Sequence, residues 1–306
     1  MRVAIIGRTE VLFNTVQLLR KAGHDVVCII TAKAAPEYTK TEQDFQFLAK
    51  ELGVPFSQGS KIDAFRDILI MVKPDIAVSI NYTGVIPQSV INIFPLGVLN
   101  AHGGDLPRYR GNACQAWAIL NGEKRIGLCI HKMIGGELDS GDILAREYVT
   151  IDLNTKITHV LDWMAERTPL MMLEAAANLA QDPNFILESQ SKDPKDALRC
   201  YPRRPEDGRI DWSKPAIDVL RLINASNKPY SGAFCFFEGE KMVVWDAELV
   251  EQEESYCAVP GQVSATGDGF VEVVCGEGKL RMLGVEICGD LIVPSLVIRS
   301  IRKRLI

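Results

Sequence analysis

The sequence lacks a long apolar run and lacks any excess of positive charge. None of its apolar stretches approaches the roughly 18 residues that a membrane-spanning helix needs, and the run at residues 1–7 is too short for a signal peptide. The net charge of -5 provides no overall positive field that would attract nucleic acid or an anionic membrane. These absences predict a cytoplasmic protein that has neither a membrane nor a nucleic acid as its partner.

The sequence also lacks paired cysteines. Its 8 cysteines form no Cys-x-x-Cys pair, and several lie inside apolar runs, as Cys28 and Cys129 do. Zinc sites and disulfide frameworks depend on closely spaced or regularly spaced cysteines, whereas isolated cysteines in apolar runs are typical of buried thiols. The pattern predicts reduced, buried thiols and no metal centre.

A dinucleotide-binding fingerprint is missing after the first predicted strand. Gly7 is followed by Arg8, Thr9 and Glu10, so the second and third glycines of the fingerprint are absent. The carboxylate of Glu10 would stand where a pyrophosphate has to bind. Binding of NAD at this turn is therefore not expected.

Apolar runs and helical patterns alternate over the first part of the chain. This alternation predicts a doubly wound, Rossmann-like α/β sheet whose strands are mostly parallel. The predicted strands are residues 2–6, 25–30, 75–80, 97–100, 126–132 and 143–149. The predicted helices are residues 11–21, 42–52, 62–72, 87–94, 112–120 and 157–179, the last of them bent or interrupted at Pro169.

The composition changes toward the C-terminus, where short β segments are separated by turn residues. We predict a first α/β domain over residues 1–190, a linker over 191–204 and a smaller β-rich domain over 205–306. Strand spacing in the second domain is typical of a small barrel, OB-like in type, or of a sandwich. Acidic residues 251–254 are expected to form a solvated loop, and residues 299–304 the basic end of a terminal helix.

Three polar residues lie on glycine-rich turns of the first domain. Asn100 and His102 follow a predicted central strand, where the crevices of open α/β sheets form, and Asp139 lies on a later loop. An amide can donate to an oxyanion, a neutral imidazole can accept a proton from an amine, and a carboxylate can orient the imidazole. The three residue types suit a one-carbon acyl transfer.

A purely structural reading of the same residues stays open at this point. A lone histidine after a strand is often a satisfied structural group, Asn100 could form a turn, and Asp139 could cap a loop. Gly103, Gly104 and the irregular segment 105–111 favour the functional reading, because functional loops are commonly supported by a rigid sheet.

Together these motifs resemble the formyltransferase family that uses N10-formyltetrahydrofolate. The family's Asn-x-His signature matches Asn100 and His102, its Leu-Pro-x-Tyr/Trp-Arg-Gly turn matches residues 106–111, and its Asp-x-Gly loop matches Asp139 and Gly141. Further matches in the second domain lie at residues 202–212 and 227–233.

The resemblance implies a role for each matched residue. Asn100 would hold the formyl oxygen, His102 would be the base, and Asp139 would position His102 or a water molecule. The donor would be N10-formyltetrahydrofolate, without a metal. The residues implied for folate binding are Asn81, Tyr82, Thr83, Gly84, Val85, Ile134, Gly136 and Leu138. The residues expected on the acceptor side are Gly103, Tyr109 and Arg110. The alternative for Tyr109 and Arg110 is that they only pack and pair locally.

The acceptor is inferred from two differences from other members of the family, and from residues 100–103 and 107–111, which are close to the sugar N-formyltransferases' version of the signature. Residues 31–44 carry no excess of lysine over acids, although methionyl-tRNA transferases of the family have a basic insertion in this region. Glycinamide ribonucleotide transferases lack a second domain of the kind predicted for residues 205–306. We therefore expect a sugar N-formyltransferase that acts on a 4-amino-4,6-dideoxy sugar linked to dTDP or UDP, for a surface polysaccharide.

Other acceptors and activities remain alternatives. The main one is methionyl-tRNA, and the others are further amines, hydrolysis of the formyl donor, and a binding module without activity. The apolar strands of the second domain could supply a contact for a homodimer.

Overall fold

The computed structural model describes residues 1–251 and 255–306, and over these the chain divides into two compact units. The first unit comprises Met1–Gly111, Gly127–Val149 and Asp162–Cys200, and the second comprises Asn112–Ile126, Thr150–Leu161 and Tyr201–Ile306. The domain boundaries at residues 190 and 204 stay predictions. Most of the acidic run 251–254 lies outside the described residues.

The described residues alternate between strands and helices in the first half of the chain and form mainly strands in the second. The strands are β1 (Arg2–Gly7), β2 (Asp25–Thr31), β3 (Phe56–Gln58), β4 (Ile76–Ile80), β5 (Val98–His102), β6 (Tyr109–Gly111), β7 (Arg125–Lys132), β8 (Ile143–Thr150), β9 (Leu198–Cys200), β10 (Ala233–Phe237), β11 (Glu240–Leu249), β12 (Val263–Gly267), β13 (Phe270–Val274), β14 (Lys279–Ile287) and β15 (Asp290–Ile292). The α-helices are α1 (Glu10–Lys21), α2 (Glu42–Leu52), α3 (Arg66–Val72), α4 (Gln88–Ile91), α5 (Cys114–Leu120), α6 (Ile157–Gln181) and α7 (Ala216–Ala225).

The first sheet has the strand order β3-β2-β1-β4-β5-β7-β8. Strands β1 to β5 pair in parallel, and β7 runs antiparallel to β5. The apolar residues of β1 and β4 are buried throughout, as is usual for parallel strands covered on both faces by helices. The predicted Rossmann-like, mostly parallel α/β sheet is confirmed.

Helix α2 shows how local sequence fixes an element. Thr41 and Asp44 form a capping box at its start, and Gly53 ends it in the left-handed conformation with φ of 65°. Both signals can be read from the sequence, and the predicted range 42–52 agrees with the helix observed.

Helix α6 contains Pro169 and continues from Ile157 to Gln181. The predicted interruption at Pro169 is therefore absent, and the alternative, a bend, stays a prediction. Among the described residues, no helix combines the length and apolar character that crossing a membrane requires.

A small two-stranded sheet was not predicted. Strand β6 pairs in parallel with β9, with Tyr109 opposite Leu198 and Gly111 opposite Cys200. Strand β9 lies within residues 191–204, which were expected to be a linker, and it belongs to the first unit. Three-residue strands give too little alternation for a sequence pattern to reveal them.

The second unit contains an antiparallel sheet in the order β10-β11-β14-β13-β12, with β15 paired to β14. Helix α7 buries Val219, Leu220 and Ile223 in the apolar core of this unit. The expected β-rich C-terminal domain is confirmed. The expected terminal helix at residues 299–304 is wrong, because the chain there forms a bridge between Arg304 and Gln262 instead.

The cysteines are all free thiols, of which Cys257 and Cys288 are exposed and the other six buried. Burial raises the pKa of Cys28 and of Cys235 to about 12, so these thiols stay protonated near neutral pH.

Candidate active site

Asn100 and His102 lie two residues apart on β5, so their side chains share one face of the strand. The antiparallel pairing of β5 with β7 places Asn100 opposite His131. Asn100 Nδ2 lies 3.1 Å from His131 Nε2. His131 Nδ1 lies 2.9 Å from the carbonyl oxygen of Lys132 and donates to it, and in this tautomer Nε2 accepts from the amide of Asn100.

His102 is buried and has a fixed ring orientation. Its Nε2 lies 2.6 Å from the carbonyl oxygen of Tyr109 and donates to it, which leaves the lone pair of the neutral ring on Nδ1. Burial lowers the pKa of His102, while the carboxylate of Asp139 raises it. The net direction is downward, so the ring is a neutral base at pH 7.

Asp139 reaches this pair from the loop after β7. Its Oδ2 accepts from the backbone N–H of Gly111 at 2.9 Å and lies 3.5 Å from His102 Nδ1. Its Oδ1 lies 3.5 Å from His131 Nε2. Burial alone would raise the pKa of Asp139, but its contacts with His131 and His102 and the amide of Gly111 lower it to about 2. The carboxylate is therefore ionised at any physiological pH.

The structure thus brings Asn100, His102 and Asp139 together, and their roles stay predictions. Sequence reasoning missed His131, which contacts Asn100 and Asp139 and whose ring centroid lies 6.2 Å from that of His102. The signal available in the sequence was a histidine at the end of the apolar run 126–130, and in the structure this side chain is only 1% exposed. Among the residues that the structure describes, no group of three or more His, Cys, Asp or Glu side chains could hold a metal ion.

Strand β6 supports the site. Tyr109 is 3% exposed and supplies the carbonyl oxygen that fixes His102, while Gly111 supplies the N–H that binds Asp139. Arg110 Nη2 donates to Gln190 Oε1 at 2.9 Å. Tyr109 and Arg110 therefore make local supporting contacts, and their predicted role beside the acceptor, like that of Gly103, stays a prediction.

The residues predicted to bind folate divide into two groups. Val85, Ile134 and Leu138 expose 80%, 38% and 40% of their surface on loops of the first unit. The backbone N–H of Gly135, beside Ile134, donates at 2.9 Å to Oε1 of Gln88, the first residue of α4, which follows the loop of Val85. Exposed apolar side chains suit the flat face of a pterin ring, so the residues present are compatible with the donor.

The other predicted folate residues differ in their surroundings: some already form hydrogen bonds within the protein or pack closely, and others border open space. Asn81 O accepts from Arg8 Nε at 2.9 Å, and Tyr82 donates its hydroxyl hydrogen to Gly59 O at 2.7 Å. Gly84 packs closely, since an added Cβ would lie 1.9 Å from Ser60 O, whereas the space around Gly136 is open. Thr83 lines a groove of about 590 Å³ together with Arg8, Lys33, Gln58 and Ser60.

The chain matches two protein-family models. The model of the family "Formyl transferase" matches residues 1–176, and that of "Formyl transferase, C-terminal domain" matches residues 203–294. Two curated relatives are methionyl-tRNA formyltransferases. The one from Desulfotalea psychrophila is 28% identical over 98% of this chain and 96% of its own length. The one from Pelotomaculum thermopropionicum is 30% identical over 94% of this chain and 92% of its own length.

Solved structures share the fold at lower identity. WlaRD, a sugar 3N-formyl transferase solved in the presence of dTDP and 5-N-formyl-THF, is 16% identical with a TM-score of 0.69, over 95% of this chain and 98% of that one. HypX from Aquifex aeolicus is 20% identical with a TM-score of 0.62, and the match covers 98% of this chain but only 49% of HypX.

These comparisons correct the expected acceptor. A nucleotide-linked amino sugar was expected, but the curated relatives that match nearly the whole chain are methionyl-tRNA formyltransferases. The likeness to the sugar transferase WlaRD, at 16% identity, shows the fold alone. The expectation rested in part on the charge of one loop, and that charge does not report how cations are arranged in space.

Proposed function

Because the chain belongs to the formyl transferase family, we propose that it transfers the formyl group of N10-formyltetrahydrofolate to the amino group of methionyl-tRNA. The observation that carries this proposal is the match to methionyl-tRNA formyltransferases over 94–98% of the chain. N10-formyltetrahydrofolate is the donor that this family uses, and it supplies an activated one-carbon acyl group.

In this proposal Asn100 stabilises the charge that develops on the formyl oxygen. One hydrogen of its amide is used by His131 Nε2 at 3.1 Å, and this contact orients the second hydrogen for an acceptor. A preorganised donor of this kind contributes most where charge appears in the transition state.

His102 accepts the proton of the attacking amine at Nδ1, because its Nε2 hydrogen is committed to Tyr109 O. The new bond joins the acceptor nitrogen to the formyl carbon, and the bond between that carbon and N10 breaks. The proton that His102 has taken up passes to N10 as tetrahydrofolate leaves. Asp139, 3.5 Å from Nδ1, stabilises the imidazolium between these steps.

A basic groove in the first unit supports an anionic acceptor. Arg8 and Lys33 line the groove of about 590 Å³ that also includes Thr83, and no acidic side chain is among its lining residues. Arg8 is held by bonds from Nε to Asn81 O and from Nη1 to Lys33 O, at 2.9 and 2.8 Å. A rigid cation beside a hydroxyl and backbone groups suits a phosphate of the acceptor end of tRNA.

The direct test incubates the protein with N10-formyltetrahydrofolate and methionyl-tRNA and measures formylmethionyl-tRNA together with released tetrahydrofolate. We expect equal amounts of both products and none without the charged tRNA. Uncharged tRNA and free methionine serve as controls for each half of the acceptor. Release of tetrahydrofolate without any acceptor would instead identify a hydrolase.

Variants of the basic groove test the acceptor contact. We expect Arg8→Met and Lys33→Met to raise KM for methionyl-tRNA by a larger factor than KM for the folate donor, since Arg8 also holds the carbonyl of Asn81 beside the predicted folate residues. Lys50→Met, which removes an exposed lysine of α2, is the matched control and should change neither. Unchanged KM values in both groove variants would contradict the assignment of this groove.

A further inference from the structure

Gln190 is buried next to the candidate site, and both hydrogens and the oxygen of its side-chain amide form hydrogen bonds. It is 6% exposed, and its Nε2 donates to the backbone carbonyls of Asp139 at 2.9 Å and of Gly141 at 2.6 Å. Its Oε1 accepts from Arg110 Nη2 at 2.9 Å. One side chain therefore connects the Asp139 loop to strand β6.

The orientation of this amide follows from its partners. A guanidinium only donates hydrogen bonds and a backbone carbonyl only accepts them, so Oε1 must face Arg110 and Nε2 must face the two carbonyls. The segment that carries Gln190 is itself anchored, because Ile143 N donates to Glu188 O at 2.8 Å. The amide is thus a rigid support and not a surface group that happens to lie close.

The loop that Gln190 holds contains a strained residue. Asp139 has a φ of 45°, in the left-handed region that side chains other than glycine rarely adopt. Such a conformation persists only where the surroundings enforce it. Gln190 binds the carbonyl of Asp139 itself, while the Gly111 amide binds the carboxylate of the same residue at 2.9 Å.

We propose that Gln190 is a positioning residue that, through the backbone of Asp139, holds the Asp139 carboxylate against His102. Arg110 holds the Gln190 side chain in this orientation by donating a hydrogen bond to its Oε1. This inference rests on the proposed formyl transfer but not on the identity of the acceptor. It gives Gln190 a role in the reaction although the hydrogen bonds of its side chain go to Arg110, Asp139 and Gly141 and not to Asn100, His102 or His131.

The first test needs no substrate. The protein has 4 histidines, and NMR titration follows each imidazole in the wild type and in Gln190→Leu, with His102→Asn assigning the His102 signal. The titratable and charged groups that face His102 are Asp139 from its loop, His131 from β7 and Arg110 from β6. Asp139 raises the pKa of His102, so its displacement should lower that pKa further, while the signals of His24 and His159 stay in place and report an intact fold.

The second test measures formyl transfer. Misplacement of a reacting group by about 1 Å can reduce the rate about 100-fold, so we expect kcat of Gln190→Leu to fall 10- to 100-fold with little change in KM. Gln190→Glu keeps an acceptor for Arg110 but removes both donors to the loop, and it should lose as much. Gln17→Leu, at an exposed glutamine of α1, is the matched control and should be unaffected.

A double variant separates positioning from general destabilisation. In an Asp139→Asn background, Gln190→Leu should cost less than about twofold, because residues that act through one another are not additive. A full additive loss, or wild-type activity in Gln190→Glu, would overturn the proposal, as would an unchanged His102 titration. If the wild type fails to formylate methionyl-tRNA, the proposed function fails, and the titration alone decides the role of Gln190.

Discussion

At the scale of single residues, the site depends on how two imidazoles are held. Each ring donates one N–H to a backbone carbonyl, His102 to that of Tyr109 and His131 to that of Lys132. The second nitrogen of each ring can then accept a hydrogen bond or a proton. The bonds fix which nitrogen of His102 can act as a base. A histidine is useful for catalysis when its tautomer is set in this way.

The acid limb of the pH profile should report His102. Burial lowers the pKa of His102 below its ordinary value of 6.5, and only the neutral ring can accept the proton of the amine. We expect kcat/KM to fall as the pH drops through a midpoint below 6.5. Asp139, with its pKa of about 2, stays ionised across this range and does not contribute to it. A midpoint above 6.5 would contradict a buried His102 base.

Replacement of His102 by alanine should remove the general base and lower kcat about 10²- to 10⁴-fold. His159→Ala is the matched control, since His159 is exposed on α6 and should tolerate the change. Steady-state kinetics at pH 7.5 compare the two variants. Near-normal turnover in His102→Ala would exclude the proposed mechanism.

Asn100→Ala should lower kcat by about 10²- to 10³-fold, because the preorganised donor to the formyl oxygen is lost. Circular dichroism and the melting temperature check that the fold persists. The matched control is Asn92→Ala. The amide oxygen of Asn92 accepts a hydrogen bond from Gln88 at the surface. Equal losses in both variants would argue against a specific role for Asn100.

The sequence predicted part of this site and not the rest, for a physical reason. Asn100, His102 and Asp139 could be found because each stands out at the end of a strand or on a glycine-rich loop. His131 and Gln190 could not, because their importance depends on partners far away in the chain. His131 matters through the antiparallel register of β5 and β7, and Gln190 through a contact with Arg110, 80 positions earlier.

At the scale of elements, the longer helices and strands follow from local patterns. The cap of α2 and the apolar runs of β1, β2 and β4 are visible in the sequence, and their predicted ranges agree closely with the structure. Strands β6 and β9 are only three residues long and exist because they pair with each other. Residues 299–304 were predicted to be the basic end of a terminal helix, but the chain ends with Ile306 paired to Phe236 of β10 through both backbone groups.

The turn between β5 and β6 has no room for a side chain at Gly104. An added Cβ would lie 2.3 Å from Tyr109 O and 2.6 Å from His102 Nε2, which are the two atoms of the bond that orients His102. We expect Gly104→Ala to reduce kcat at least about tenfold, with the protein still folded. Gly284→Ala, where the nearest atom is an ordinary contact at 3.5 Å, should have no effect on activity. Activity and melting temperature measured together distinguish the two.

At the scale of the whole molecule, a chain of net charge -5 is proposed to bind a polyanion. The overall charge opposes this encounter, so binding must rely on local cations such as Arg8 and Lys33. Composition could not reveal these cations, because a count of charged residues does not say where the residues lie in space. The two-domain α/β and β architecture, in contrast, was predictable because periodicity is a local property of the sequence.

Salt should weaken the acceptor interaction selectively. We expect kcat/KM for methionyl-tRNA to fall with increasing KCl, with a slope that corresponds to a few phosphate contacts, while KM for the folate donor changes little. If Arg8 contacts one phosphate, Arg8→Met should reduce the slope of log(kcat/KM) against log[KCl] by about 1 in magnitude. A plot as steep for the variant as for the wild type would rule out that contact.

The pairing of β6 with β9 limits where this chain can be divided. The strand that orients His102 and Asp139 is completed by residues 198–200, which come after all strands of the first sheet in the sequence. A recombination event or an engineered fusion that joins new sequence before residue 198 would preserve the parallel sheet yet deprive β6 of its partner. Exchange of the C-terminal part between related enzymes should therefore preserve activity only when the crossover lies beyond Cys200.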